Sequence, residues 1–403
     1  MTETLHTLVI GGGQAGVATS AHLQKQGIPH LVLERDRIAE RWRTWRWDSL
    51  VANGPAWHDR FPEAEFEDLD PDAFAGKEAV ADYFQRFASD RNLPIRTGVE
   101  VTRLERHGDV FHVTTSQGAI TARNVVVATG PFQHPVIPTV ITDPAITQLH
   151  SSRYRNPGAL PEGAVLVVGA GSSGAQIAEE LVRAGRPVYL SVGPHDRPPR
   201  RYRGKDFVWW LGKLGKWDMK APTPGTEHIT IAVSGAYGGH TMDFRRLAGL
   251  GVTLLGRAGA YGNGVLEIAD DLRTNIENGD RNYLSVLDEA DAYATAQGLD
   301  LPEDPTARSL LPLPECVTRP TLALDLKAAG ITTVIWATGF RLDFGWIDLD
   351  IFQPDGRPRH RDGVAEVPGL YFVGLPWLSC RGSAFIWGVW KDAERLAGLI
   401  AER

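Results

Sequence analysis

Three glycines at 11, 13 and 16 follow the apolar run LVI of residues 8–10, and three more at 169, 171 and 174 follow VLVV of residues 165–168. In a G-x-G-x-x-G turn, Gly11 or Gly169 permits the tight bend. Gly13 or Gly171 lets a diphosphate reach the backbone, and Gly16 or Gly174 lets helix and strand close up. Two such turns in one chain predict chemistry carried between two dinucleotides. Gln14 and Ala15, like Ser172 and Ser173, open the helices whose N–H groups face the phosphates. Glu34 ends the strand LVLE, with Arg35 beside it, where a carboxylate accepts hydrogen bonds from ribose hydroxyls. The corresponding strand VYLS ends in Ser191, and Arg197, Arg200 and Arg201 follow. A serine followed by guanidinium groups suits a 2′-phosphate, so NADPH is expected in preference to NADH. The plainer reading of RPPRRYRGK is a solvated basic loop.

These turns need strand–turn–helix–strand units to hold them. The first is expected as strand Thr7–Ile10, a helix from about Gln14 to Gln26, and strand His30–Leu33. The second is expected as strand Ala164–Val168, a helix to about Ala184, and strand Pro187–Leu190. VVVATGP (125–131) and VIWATGF (334–340) read as buried strands ending in Ala128-Thr129-Gly130 and Ala337-Thr338-Gly339. Small residues there suit a backbone that passes close to a nucleotide or crosses between domains. The fold class follows: α/β, with two Rossmann-like dinucleotide-binding domains, the second inserted in the first. Proline-rich crossings place the first domain at 1–157 and 320–403 and the second at 158–319. Residues 271–297 have the spacing of one or two amphipathic helices.

A chain of 403 residues can bury the cores of two or three domains. Its formal charge of −7, with no basic half, argues against nucleic acid and anionic membrane surfaces as partners and for a small-molecule substrate. Cys316 and Cys380 stand far apart, so a CxxC redox pair is absent, and the twelve histidines show no metal-ligand spacing. No metal is expected. With no basic leader and no run of ~18 apolar residues, the expected location is the cytoplasm.

From LVIGGGQAG through both ATG segments to GLYFVGLPWLSCRGSA, the chain resembles the flavin-containing monooxygenases, bacterial branch, among the two-dinucleotide-binding-domain flavoproteins. The resemblance implies FAD at the first turn and NADPH at the second. It implies O2 as co-substrate and transfer of one oxygen atom, by way of a flavin C4a-hydroperoxide, to a small heteroatom-containing or aromatic compound. Asn53-Gly54-Pro55 resembles the family's Asn-x-Pro, which makes Asn53 the candidate for oxygen activation, although Asn-Gly-Pro is also a plain turn. Arg41, Trp42, Trp47 and Asp48 fall where the family approaches the FAD pyrophosphate and ring. Of the family's linker pattern only His150 and Tyr154 match. Gly374 and the stretch Arg381-Gly382-Ser383-Ala384 fall where a helix start would face the flavin pyrimidine, with Arg381 a second catalytic candidate.

Substrate contacts are expected from the aromatic residues Trp209, Trp377, Phe385 and Trp387, with Trp217 nearby, although aromatics at such spacing also serve a core. A reductase or oxidase using the same two nucleotides, or a flavin-bearing regulatory protein, are the alternatives. A homodimer is the default assembly for a soluble enzyme of this size.

Overall fold

The structure, a computed structural model, describes residues 3–221 and 230–403. The first unit begins with β1 (Glu3–Ile10), α1 (Gln14–Lys25) and β2 (His30–Leu33). On its other side β1 pairs in parallel with β3 (Gly118–Val127), so that Ile10 lies opposite both Leu33 and Val127. The chain then enters a second sheet made of β4 (Thr147–His150), β5 (Ala164–Val168), β6 (Val188–Ser191), β7 (Val252–Leu255) and β8 (Ile331–Trp336). Its order is β7-β6-β5-β8-β4, and every pairing is parallel. The residues of β5 are all buried, as expected of a parallel strand covered on both faces. Helix α2 (Ser172–Arg183) joins β5 to β6.

The chain returns to the first sheet through β9 (Leu370–Phe372), parallel to β3, and ends in α3 (Ile386–Ala401). Apolar residues at Ile386, Val389, Trp390, Ala393, Leu396, Ala397 and Ile400 give α3 one buried stripe. That stripe packs with Val17, Ala18 and Leu23 of α1 in one core. The α/β class and the insertion of the second unit within the first are therefore as the sequence predicts.

The two units repeat one plan. In each, the strand before the glycine turn lies between the strand after the helix and a strand that ends in Ala-Thr-Gly. The sheets thus divide the chain differently from the proline-based boundaries, which give residues 147–150 and 331–336 to the first domain. Both segments are strands of the second sheet, because the second Ala-Thr-Gly packs on the second glycine turn. Sequence order shows strands but not which sheet they join. Residues 271–297 hold a single helix, Leu272–Ala296, whose buried face packs with Tyr202 and Trp210. Among the described residues no helix is long and apolar enough to cross a membrane.

Candidate active site

The first glycine turn is shaped by its neighbours. Gly11 has φ +109°, and a Cβ there would stand 2.7 Å from the Ala128 carbonyl oxygen. At Gly16 it would stand 1.8 Å from the Gly11 oxygen, whereas nothing lies within 4 Å of one at Gly13. The turn is closed where helix and strand meet and open where a phosphate would approach. The Glu34 carboxylate accepts from the Gly12 N–H at 2.6 Å and from the Asp36 N–H at 2.9 Å, so it is held at the mouth of the turn. Gln14 Nε2 donates to the Ala384 carbonyl at 2.8 Å, and a Cβ at Gly374 would stand 2.6 Å from that of Ala15. These contacts bring Gly374 and the turn Arg381–Ala384 to the start of α1. Ser383 is buried there, its hydroxyl accepting from the N–H of Ser379 and Cys380.

Ala39 N–H donates to the Gly12 carbonyl, and a short helix, Glu40–Thr44, starts from that anchor. It carries Arg41 and Trp42. Arg41 lies over the Trp45 ring at 4.0 Å, and its buried Nη1 has no hydrogen-bond partner among the described residues. Burial, reinforced by Arg35, lowers its pKa to about 10. Arg46 lies over Phe132 at 4.9 Å, and burial with the Arg41 charge lowers it likewise to about 10. A half-buried guanidinium whose buried Nη1 lacks a partner, beside an open glycine turn, is what an incoming pyrophosphate completes, so FAD fits this site. Arg35 instead faces solvent and pairs with Asp36. Trp47 and Asp48 also lie away from this role. Trp47 is buried in the core of the second unit, and Asp48 accepts from Asn156 at 2.7 Å in the crossing between units.

The second turn has the same construction: Gly169 has φ +105° and abuts the Ala337 oxygen, and Gly174 abuts the Gly169 oxygen. The Ser172 hydroxyl donates to the Ile231 carbonyl at 2.9 Å, while Ser173 shares the first turn of α2. Thr129 and Gly130 accept from Gln133, and Thr338 donates to the Val136 carbonyl. Gly339 accepts from Val136 N–H and contacts Nε2 of the buried His150 at 2.9 Å. The two Ala-Thr-Gly segments therefore serve twice: each alanine backs a glycine turn, and the following residues stitch the crossing.

The expected reading of a 2′-phosphate by Ser191, Arg197 and Arg200 is overturned by register and by burial. Gly11 N–H donates to the Leu33 carbonyl and Gly169 N–H to the Ser191 carbonyl, so Ser191 matches Leu33 and the apolar, buried Val192 matches Glu34. The Ser191 hydroxyl donates to the Gly256 carbonyl and accepts from Ala258 N–H. Arg197 is 3% exposed and paired with Asp280 at 2.9 Å. Arg200, equally buried, holds Asp206 through both carboxylate oxygens. The basic side chain that does approach this end of β6 is that of Arg257. Its side chain passes within 3.6 Å of a Cβ built at Gly193, the residue after Val192, and pairs with Asp271. No local motif marks it, because it arrives from the end of β7.

Asn53 lies where the units meet. Its Oδ1 accepts from Gln176 Nε2 of α2 at 2.9 Å, and its carbonyl accepts from Arg200 Nη1 at 2.6 Å. The second unit thereby fixes the amide plane and leaves Nδ2 as the donating end.

The sequence profile of the pyridine nucleotide-disulphide oxidoreductase family matches residues 8–203, which contain both glycine turns. An uncharacterized CzcO-like oxidoreductase of Geobacillus kaustophilus is 34% identical over 402 residues, covering 98% of both chains. The chain belongs to the CzcO-like oxidoreductases. A flavin-containing monooxygenase from Stenotrophomonas maltophilia has the same fold, with TM-score 0.68 at 19% identity over 100% of this chain and 99% of that one. So does a bacillithiol disulfide reductase from Bacillus cereus, with TM-score 0.64 at 16% identity over the whole of both chains. The fold is that of the two-dinucleotide-binding-domain flavoproteins. As a member of the CzcO-like family, the chain is an oxidoreductase.

The two units of this oxidoreductase share an aromatic cluster. Phe207, Val208, Leu211 and Trp217 from the second unit meet Trp57 and Trp387 from the first. Trp217 lies 5.4 Å from Trp387 and 5.1 Å from Phe385, centroid to centroid. Arg381 N–H donates to the Met219 carbonyl across the same seam, and the Arg381 guanidinium lies 5.9 Å from the Trp217 ring. Burial lowers the Arg381 pKa, against an opposing pull from the Asp196 charge. Burial likewise raises Asp196, against the pull of Arg381. Trp209 does not join this cluster; it stacks edge-on against Trp210 at 4.9 Å, between Lys205 and Lys213. Helix Phe207–Lys213 has two packed faces, and Trp209 lies on the one turned to helix Leu272–Ala296. Trp377 follows β9 with φ +55°, a left-handed conformation uncommon for a tryptophan. Sequence reading missed Asp196, Arg257 and the His58–Asp59 pair within AWHDRFP.

Proposed function

We propose that this protein is an NADPH-consuming flavin monooxygenase that transfers one oxygen atom from O2 to a small aromatic or heteroatom-containing substrate. Bound at the first turn, FAD supplies a redox ring that takes hydride from the nicotinamide and passes electrons to O2. The chain's own residues supply position and dryness. Gln176 and Arg200 orient the Asn53 amide at the seam, where its N–H can donate to oxygen or to the nicotinamide carboxamide. The observation that carries the reading is the cluster of Trp217, Trp387 and Trp57, built from both units, with the exposed Phe385 at its edge and the Arg381–Met219 hydrogen bond tying the units together beside it. Exclusion of water is what separates an oxygenase from an oxidase.

NADPH over NADH rests on Arg257, the cation beside Gly193, in a site that lacks a ribose-binding carboxylate at Val192. The test is stoichiometric: NADPH, O2, hydrogen peroxide and oxygenated product are measured together in an aromatic substrate screen. Coupled turnover gives product with little peroxide, and Trp387→Ala raises the peroxide share several-fold while leaving flavin reduction by NADPH unchanged. Peroxide alone with every substrate, or disulfide reduction, would contradict the proposal.

A further inference from the structure

Behind the Asn53-Gly54-Pro55 turn, the Asp59 carboxylate does two things. One oxygen accepts from Gly54 N–H at 2.9 Å, and the other lies 2.7 Å from His58 Nδ1. A carboxylate at that distance accepts from Nδ1–H, so in the neutral imidazole the lone pair stands on Nε2. The His58 side chain is 9% exposed, and its Nε2 is buried without a hydrogen-bond partner among the described residues. The imidazole is enclosed by Trp57 at 5.6 Å, Trp217 at 5.6 Å and Trp387 at 5.5 Å. Trp387 Nε1–H is a second buried polar group with no partner.

Buried polar groups are nearly always paired. Here an acceptor and a donor are left over in one aromatic cluster, on rings whose centroids lie 5.5 Å apart, so a ligand group that reaches one is in the neighbourhood of the other. The charges around the cluster are Asp59 on the far side of the imidazole, Lys391 over Trp387 at 5.3 Å and paired with Asp218 at 3.3 Å, and Arg381 over Trp217 and under the influence of Asp196. With each cation facing a carboxylate, the cluster offers no unpaired charge to an ionic ligand, which suits an uncharged one. We propose that His58 and Trp387 form the polar end of the substrate seat. It takes a planar, uncharged aromatic compound whose O–H or N–H donates to His58 Nε2 and whose heteroatom accepts from Trp387 Nε1–H. This deepens the monooxygenase reading and rests on it for the word substrate, while the binding itself does not require turnover.

The test is titration of the oxidised FAD-loaded enzyme, without NADPH, with phenol, anisole and toluene, following the flavin absorbance band. Phenol can donate and accept, anisole can only accept, and toluene can do neither. Phenol is expected to bind about tenfold tighter than anisole. The preference should fall to near unity in His58→Phe, and in Asp59→Asn, whose amide would donate to Nδ1 and turn Nε2 into a donor. His58→Gln keeps an acceptor and should retain part of the preference, so it guards against reading a folding defect as a lost contact. Trp387→Phe should lower the affinity of anisole toward that of toluene. Equal affinities in the wild type, a preference that survives both His58→Phe and Asp59→Asn, or no binding of phenol would overturn the proposal. Peroxide-only turnover with the phenol preference intact would instead overturn the monooxygenase reading and leave the seat standing.

Discussion

Gly16, Arg41 and Arg257 show how single residues set this site, and how unequally the sequence displays them. The role of Gly16 is legible from spacing alone, since a Cβ there would lie 1.8 Å from a backbone oxygen. Arg41 is legible only through family resemblance, because RWRTWRWD holds Arg41, Arg43 and Arg46, and nothing local says which one is buried unpaired. Removing that guanidinium should weaken the pyrophosphate contact. Arg41→Met is expected to lower FAD affinity about tenfold to a hundredfold, read as flavin released on dilution, with the fold unchanged by circular dichroism. Arg257 was illegible, because its neighbour Gly193 is distant in sequence. Arg257→Ala should raise KM for NADPH about tenfold and leave KM for NADH nearly unchanged; equal effects on both would remove Arg257 from 2′-phosphate recognition.

At the scale of elements, the strand–turn–helix units match the sequence within a residue or two, save that β1 begins at Glu3 and not Thr7, because apolar runs, glycines and helix stops agree there. What strand reading cannot supply is register. Placing Ser191 opposite Glu34 was an error of one position, and only the hydrogen bonds from Gly11 and Gly169 show that Val192 is the counterpart. The loop after β6 misled for a related reason. Its arginines read as a phosphate cradle, whereas their partners Asp206, Asp243 and Asp280 lie up to 83 residues away in sequence. The consequence is testable: Arg200→Met leaves Asp206, itself buried, without its partner. It should cost about 3–5 kcal/mol of stability by denaturant unfolding, well beyond any change in NADPH affinity. A stable variant with only a raised KM for NADPH would restore the earlier reading.

Across the whole molecule, the two units were visible as paired motifs, but their seam was not. Asn53 with Gln176, Arg381 with Met219, and Trp217 with Trp387 are contacts between distant parts of the chain, and composition gives no warning of them. The same burial makes the fold acid-sensitive. His22, His30, His150, His195 and His360 all have pKa values lowered by burial, so the folded state holds them neutral where the unfolded chain binds protons. Unfolded histidines titrate near 6.5, so below about that pH the unfolded state gains protons that the folded state refuses, and stability falls as pH drops. The Tm should therefore decline steadily from about pH 7 toward about pH 5; a flat or rising Tm over that range would show that these histidines are protonated in place.

In the proposed reaction the seam between the units holds reduced flavin and O2 together in a dry site. The most direct test of this is rapid mixing of the FAD-loaded protein, reduced anaerobically by NADPH, with oxygenated buffer, while the near-ultraviolet and visible spectrum is recorded. A monooxygenase should give a spectrum distinct from both reduced and oxidised flavin that persists before the oxidised bands return, and that decays faster in Trp387→Ala. Direct return of the oxidised spectrum with one equivalent of peroxide, in wild type and variant alike, would contradict the proposed reaction.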